Sequence, residues 1–236
     1  MDSYKLGKHI SQQFDQELED VRNRVLVMGG LVEELLQNAV AQLLGNEDRA
    51  EQIEAQDEKI NQLEIEIDEF CSQILARRQP TARDLRLVIA IGKAISDLER
   101  IGDEAEMIAR KSVESKVKES RPYFNLLNVL VQRVQGMLSQ ALDAFARMDA
   151  ETAVEVARQD TKIDDGYANL LQSLISDMED STKKVRRSVE LMWVTRSLER
   201  IGDHATNICE HVVYVVKGRD VRHLSLDEME REVNAG

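Results

Sequence analysis

Two pairs of acidic side chains, each set one helical turn apart, are the residues of this sequence best suited to chemistry. The segment Leu-Glu-Arg-Ile-Gly-Asp occurs at residues 98–103 and again, unchanged, at residues 198–203. On a helix, residues four apart lie on one face, and two like charges at that spacing mildly destabilise it. A bound cation, or nearby arginines, would offset that cost in both copies. The two pairs are Glu99 with Asp103 and Glu199 with Asp203.

A second set of oxygen-bearing side chains is predicted to face each pair. The preceding predicted helices carry Asp57 and Asn61 in the first half and Asp160 and Asp164 in the second. Short turns make each helix pair antiparallel, so residues equidistant from a turn lie at one level, about 30 Å from it at ~1.5 Å per residue. The sequence therefore predicts two clusters of four side chains. Glu106 could supplement the first cluster, in which Asn61 is a neutral ligand.

Oxygen donors of this kind favour hard or borderline cations, so the clusters predict sites for Mg, Ca, Mn or Fe ions. The alternative interpretation is a carboxylate network neutralised by Arg100, Arg110 or Arg200. His204 directly follows the second motif and is a less favoured candidate ligand. We expect it to face solvent or a partner.

The helices that must position these clusters are predicted from composition and periodicity. Aromatic residues make up 4% of the chain and only 2 residues are proline, which is typical of long packed helices. The third and sixth predicted helices carry apolar residues at alternating steps of three and four, the spacing of left-handed bundle packing. The six predicted helices cover about residues 9–44, 46–78, 81–117, 122–148, 149–179 and 181–218.

The order and approximate lengths of these helices repeat, and Gln-Asp-Glu-Lys-Ile at 56–60 matches Gln-Asp-Thr-Lys-Ile at 159–163. We interpret this as an internal duplication. The predicted fold is all-α, with two tandem antiparallel three-helix bundles at residues 1–119 and 120–219. A polar C-terminal tail at 220–236 is expected to be partly disordered.

Charge and the available motifs narrow the function. The net charge of −13 argues against non-specific nucleic-acid binding. No secretory signal or run of ~18 apolar residues is visible, so we expect a cytoplasmic protein that reaches a membrane only through partners. Cys71 and Cys209 lie in apolar stretches and are expected to be reduced core residues. There is no Glu-x-x-His pair within the helices, Walker loop or dinucleotide fingerprint, so neither catalysis nor an organic cofactor is expected.

Further segments accompany the paired motif. They include Lys-His-Ile-Ser at 8–11, Arg-Gln-Pro-Thr-Ala at 78–82 and Asn-Ile-Cys-Glu at 207–210. In these features the sequence resembles the PhoU family of bacterial accessory regulators of phosphate-specific transport. The resemblance covers about residues 3–224.

The resemblance implies a non-enzymatic adaptor and negative regulator of the phosphate-starvation response. Its implied partners are the ATPase subunit of the phosphate ABC transporter, a sensor histidine kinase and a second copy of the chain. It also implies iron, zinc or other metal ions at the repeated acidic pairs, with Asp57, Asp160 and Asp164 as facing donors.

Two other interpretations of the sequence remain open. A carboxylate metalloenzyme or metal-storage protein would hold stoichiometric metal. A helical scaffold without metal would be stabilised when Glu99 and Asp103 are neutralised, and it would keep its partners.

Overall fold

The computed structural model describes residues 12–45, 49–115 and 123–235, which form eight α-helices and one 3-10 turn. The start predicted near His9 and the end predicted near Val117 lie outside these ranges. The elements are α1 (Gln12–Leu44), α2 (Ala50–Arg78), α3 (Ala82–Ser115), α4 (Tyr123–Arg147), α5 (Ala150–Ala157), α6 (Asp160–Asp180), a 3-10 turn (Thr182–Lys184), α7 (Val185–Lys217) and α8 (Leu226–Asn234).

The all-α architecture of two repeated bundles is confirmed. Helices α1, α2 and α3 pack against one another in the first half, and α4, α6 and α7 do so in the second. The apolar stripes predicted for the third and sixth helices are buried along their whole length, which is why these helices form the core of each half. Their members are Ile91, Ala94, Leu98, Ile101, Ala105 and Ile108 on α3, and Leu191, Val194, Leu198, Ile201, Ala205, Ile208, Val212 and Val215 on α7.

The fifth predicted helix, expected to run unbroken over 149–179, is two helices. Gln159 donates its backbone N–H to Val156 rather than to the residue four before it, and Lys162 donates in the same way to Gln159. These tighter i to i−3 bonds form a joint between α5 and α6. Five of the eight residues of α5 are buried, whereas α6 buries a narrow stripe, so the two segments bury different faces and the joint lies between them.

The expectation of a partly disordered tail is corrected for residues 226–234, which form α8. Ser225 and Glu228 make a capping box at its start, since each side chain bonds the backbone N–H of the other residue. Met229 and Val233 are buried where α8 packs against α5 and α7. The boundaries of the two bundles and of the tail, at 119 and 219, remain predictions.

Helices α3 and α7 pack against each other at the centre of the molecule. Lys111, late in α3, pairs with Glu190, early in α7, whereas Asp97 contacts His211, late in α7. The two helices are therefore antiparallel, and the two halves meet along them. As a result the two Leu-Glu-Arg-Ile-Gly-Asp segments lie beside each other, at one level.

Candidate functional site

The first acidic cluster lies between α2 and α3, as the sequence predicts. Asn61 Nδ2 donates to Asp57 Oδ2 at 3.0 Å. The other carboxylate oxygen of Asp57, Oδ1, is buried and accepts no hydrogen bond. Burial raises the pKa of Asp57, and the nearby carboxylates of Asp103 and Glu106 raise it further. Asn61, Asp103 and Glu106 therefore lie close enough to Asp57 to act on its charge.

Glu99 completes this cluster. Burial raises its pKa, and Asp103, Glu64 and Asp57 raise it further, while Arg100 opposes them. Sequence reasoning missed Glu64, which accepts a hydrogen bond from the Ser96 hydroxyl at 2.8 Å. Glu64 and Ser96 are equidistant from residue 80, so the rule that found the other facing residues could have found this pair.

The second cluster lies between α6 and α7. Burial, together with the charges of Asp164, Asp203 and Glu199, raises the pKa of Asp160 to about 7. Asp160 Oδ1 is buried and accepts no hydrogen bond. All four predicted residues of the second half are thus brought together, and a proton near neutral pH partly relieves their repulsion.

Glu199 is the most enclosed member of the second cluster. Only 9% of its surface is exposed, and burial raises its pKa, as does Asp203. Arg196 Nη1 donates to Glu199 Oε1 at 2.5 Å, whereas the buried oxygen Oε2 accepts no hydrogen bond. Asp203 is exposed, but partial desolvation and Asp164 still raise its pKa, against Arg196, His204 and Arg200.

The glycine of each motif lets the facing aspartate approach. A Cβ atom built on Gly102 would lie 3.4 Å from Asp57 Oδ1, and one on Gly202 would lie 3.2 Å from Asp160 Oδ1. The contact at Gly202 is tight, so a side chain there would have to displace Asp160 or Ile163, whereas 3.4 Å at Gly102 is an ordinary contact distance.

The side chains present match hard cations in type but do not enclose one. Across residues 12–45, 49–115 and 123–235, no three His, Cys, Asp or Glu side chains converge on a position that could hold a metal ion. The chemistry of the donors still fits such an ion. Buried oxygens of Asp57, Asn61, Asp160 and Glu199 lack hydrogen-bond partners, and a cation would satisfy them. The metal role of the nine predicted residues stays a prediction.

Two of the arginines predicted to neutralise the clusters, Arg200 and Arg110, contact side chains outside the clusters. Arg200 bonds Glu104 across the α3–α7 interface, and it lowers the pKa of Asp203 only weakly. Arg110 contacts the sulfur of Met107 at 3.3 Å. Among the described residues, the arginine that bonds a cluster carboxylate is Arg196, which sequence reasoning did not select although it lies three residues before Glu199.

The sequence predicts that His204 faces solvent or a partner. In the structure it lies instead in a polar group between the two halves. Its Nδ1 atom lies 2.9 Å from Asp97 Oδ1, which also accepts from Asn207 Nδ2 at 2.9 Å. His211 Nε2 lies 2.9 Å from Asp97 Oδ2. Burial alone would raise the pKa of Asp97, but these hydrogen bonds outweigh it and lower the pKa to about 2. No sequence pattern singled out Asp97, since its partners are more than 100 residues away.

The two cysteines are core residues, as predicted. Cys71 and Cys209 are free and buried, and burial raises the pKa of Cys71 to about 12. Within the described ranges, every helix is too short or too polar to cross a lipid bilayer.

Comparison with known families finds two copies of one domain in this chain. The model of the PhoU domain matches residues 25–112 and 127–212. These two stretches contain both acidic clusters and their repeated motifs.

Several known proteins are similar over nearly the whole chain. The phosphate-specific transport system accessory protein PhoU homolog of Pseudomonas aeruginosa is 48% identical over 231 residues, covering 97% of this chain and 95% of that protein. The PhoU protein of Escherichia coli K12 is 42% identical over 232 residues, covering 98% and 96%.

Solved structures show the same fold. The crystal structure of PhoU from Pseudomonas aeruginosa superposes with a TM-score of 0.83 at 46% identity, covering 88% of this chain and 100% of that one. The phosphate transport system regulatory protein PhoU from Streptococcus pneumoniae gives 0.81 at 33% identity, covering 89% and 99%.

Proposed function

The chain belongs to the PhoU family, and on that premise we propose that it is a non-enzymatic regulator of phosphate uptake and of the phosphate-starvation response. The observation that carries this proposal is similarity over nearly the full length to accessory proteins of the phosphate-specific transport system. In this role the chain restrains the starvation response when phosphate is plentiful.

We propose that it acts as an adaptor between two partners, the ATPase subunit of the phosphate ABC transporter and a sensor histidine kinase. It works in the cytoplasm as a homodimer and reaches the membrane only through those partners. Long rigid helices suit this role because they offer extended faces on which other proteins can dock.

An exposed apolar stripe at the start of α7 supports docking. Val185, Val189 and Trp193, at four-residue spacing, form this α7 stripe and are 40%, 39% and 55% exposed. The equivalent positions of α3 carry Leu85 and Ile89, each 36% exposed. Clustered exposed apolar side chains typically mark interaction surfaces.

The test is a phosphate-starvation reporter in cells that lack their own family member, paired with capture of the purified ATPase subunit and kinase. We expect the parent chain to silence the reporter in phosphate-rich medium and to retain both partners. Val189→Ser/Trp193→Ala should lose silencing, while Val27→Ser, which removes an exposed apolar side chain on α1, should not.

Failure of the parent chain to silence the reporter would overturn the regulatory proposal. If the α7 stripe variant silences as well as the parent, the regulatory proposal stands and the docking role of the stripe is wrong.

A second proposal, cation binding at the two clusters, is favoured by the buried oxygens that lack hydrogen-bond partners. Asp57, Asn61, Glu99, Asp103 and Glu106 would hold an ion in the first half. In the second half the ligands would be Asp160, Asp164, Glu199 and Asp203. A bound divalent ion would supply positive charge that lets the carboxylates remain ionised together. The candidates are Mg, Ca, Mn, Fe and Zn ions.

Elemental analysis of untagged protein purified without chelator tests this second proposal. Metal should be present in the parent and lost when Glu99, Asp103, Glu199 and Asp203 are all neutralised to their amides. A control carrying Glu69→Gln and Asp165→Asn, which removes exposed carboxylates elsewhere on α2 and α6, should keep it. Equal metal content in all three proteins would contradict specific binding at the clusters.

A further inference from the structure

Arg196 is a positively charged residue of α7, the helix that also carries Glu199 of the second cluster. Its guanidinium is bonded to Glu199 Oε1, and its side chain is 48% exposed, whereas that of Glu199 is 12% exposed. The charge on Glu199 is thus met from the solvent side by a half-exposed arginine. The opposite oxygen, Oε2, remains buried without a hydrogen-bond partner.

The first half has no arginine at the position equivalent to Arg196. The residue 100 positions earlier is Ser96, whose hydroxyl donates to Glu64 on α2. The bond between Arg196 and Glu199 is therefore a feature of the second cluster and is absent from the equivalent pair of the first.

We propose that Arg196 is the internal counter-ion of Glu199 and competes with a divalent cation for that carboxylate. The inference rests on the proposed cation binding at the clusters. An ion held by both oxygens of Glu199 displaces the guanidinium from Oε1, because two cations on one enclosed carboxylate repel each other. Cation binding at the second cluster then releases Arg196, and the first cluster has no such step.

The released side chain belongs to an exposed surface. Arg196 lies three residues after Trp193 and seven after Val189, so on a helix the three share one face. Binding at the cluster therefore places a free guanidinium beside the α7 stripe, where it can stack on an indole ring. Trp193 is the only tryptophan of the chain, so its emission reports on this surface alone.

The test compares the parent chain with Arg196→Gln, Arg196→Lys and Arg200→Gln. Arg200→Gln is the matched control, because it removes the same charge one turn further along α7 from an arginine bonded to Glu104 rather than to a cluster carboxylate. Affinity is measured by calorimetric titration with Mn²⁺. Trp193 emission is followed during a titration with Zn²⁺, which is diamagnetic.

We expect Arg196→Gln to raise the Mn²⁺ affinity of one site by about three- to tenfold, the scale of a half-exposed charged pair. Arg196→Lys should fall between that variant and the parent, and Arg200→Gln should change affinity by less than twofold. Zn²⁺ should shift Trp193 emission in the parent but not in Arg196→Gln.

Three results would count against the inference, and they separate it from the proposal beneath it. Equal affinity in the parent and Arg196→Gln, or equal gains in Arg196→Gln and Arg200→Gln, would overturn the counter-ion role and leave cation binding intact. Absence of any Mn²⁺ or Zn²⁺ binding to the parent would overturn both.

Discussion

The first cluster, between α2 and α3, and the second, between α6 and α7, are built on one six-residue motif but have different surroundings. Asn61 in the first half corresponds to Asp164 in the second, Glu106 to Thr206 and Ser96 to Arg196. Each difference alters charge or the way charge is compensated. In both halves the motif glycine, Gly102 or Gly202, faces the aspartate and an isoleucine of the preceding helix. Packing has been kept between the repeats while the electrostatics have diverged.

At the interface between the two halves, equivalent positions of α3 and α7 also differ in charge. Asp97 on α3 accepts hydrogen bonds from three side chains of α7, whereas the equivalent residue of α7 is Ser197, a buried small hydroxyl. A pseudo-symmetric contact is therefore held by an asymmetric polar group, and substitutions at equivalent positions should have unequal effects.

The largest difference is expected between Asp97→Ala and Ser197→Ala. The first leaves His204, Asn207 and His211 without their buried acceptor, so it should lower the free energy of unfolding by about 3 kcal/mol. The second should cost less than about 1 kcal/mol. Urea denaturation at pH 7 measures both. Equal losses would contradict the assignment of Asp97 as the centre of the interface.

The same residue, Asp97, should also make the free energy of unfolding depend on pH in acid. The pKa of Asp97 is about 2 in the folded chain, below the ordinary value near 3.9. A lowered carboxylate pKa stabilises the fold above the unfolded value, and this stabilisation is lost as pH falls through the folded one. The parent should therefore lose stability between about pH 4 and pH 2. In Asp97→Asn this part of the loss should be absent.

A smaller, opposite effect is expected at the clusters in metal-free protein. Asp160 has a pKa of about 7, so its ionised form is unfavourable in the folded state. Its contribution to stability is greatest below about pH 4 and is lost as pH rises through 7. Asp160→Asn should stabilise the chain by about 1–2 kcal/mol at pH 8, after allowance for solvent screening, and by less at pH 5.

The matched substitution is Asp57→Asn, whose parent carboxyl has a raised pKa but is already bonded to an amide. It should stabilise the metal-free chain less than Asp160→Asn does. Thermal unfolding of both variants in chelator, at pH 5 and pH 8, decides the order. A larger gain for Asp57→Asn would reverse the comparison.

The smallest difference is expected at the motif glycines. Alanine favours a helix over glycine by about 1 kcal/mol, and its Cβ at Gly102 would make ordinary contacts, the nearest at 3.4 Å. At Gly202 the added Cβ would lie 3.1 Å from Ile163 Cδ1 and 3.2 Å from Asp160 Oδ1. Gly102→Ala should therefore stabilise by about 0.5–1 kcal/mol, and Gly202→Ala should cancel or reverse that gain. Denaturant midpoints check this order, and equal gains would contradict it.

The features that could be predicted from the sequence are those fixed by local spacing. Apolar residues such as Leu98 and Leu198 recur every three or four positions, and this fixes the buried face of each central helix. Because the turns between helices are short, residues equidistant from a turn lie at one level. This predicts Asp57 opposite Asp103 and Asp160 opposite Asp203. These are contacts within one helical hairpin, so few degrees of freedom separate them.

The missed features depend on contacts that no local pattern encodes. Asp97 meets His204 and His211 only because the two halves pack through α3 and α7, and nothing in either repeat specifies that packing. The joint between α5 and α6 and the folding of α8 likewise depend on where α5 is buried. Arg196 was missed for another reason, since an arginine three residues before a glutamate is common on helix surfaces and is informative only once the burial of Glu199 is known.

The most direct test of the account is a calorimetric titration with Mn²⁺ of three proteins: the parent, Glu99→Gln/Asp103→Asn and Glu199→Gln/Asp203→Asn. If the repeated motif builds two separate cation sites on matched backbones, the parent should bind at both clusters. Each double variant should then lose one binding event and keep the other. Loss of both binding events in either double variant would contradict the claim that each motif forms its own site. Retention of both events in both double variants would contradict it as well.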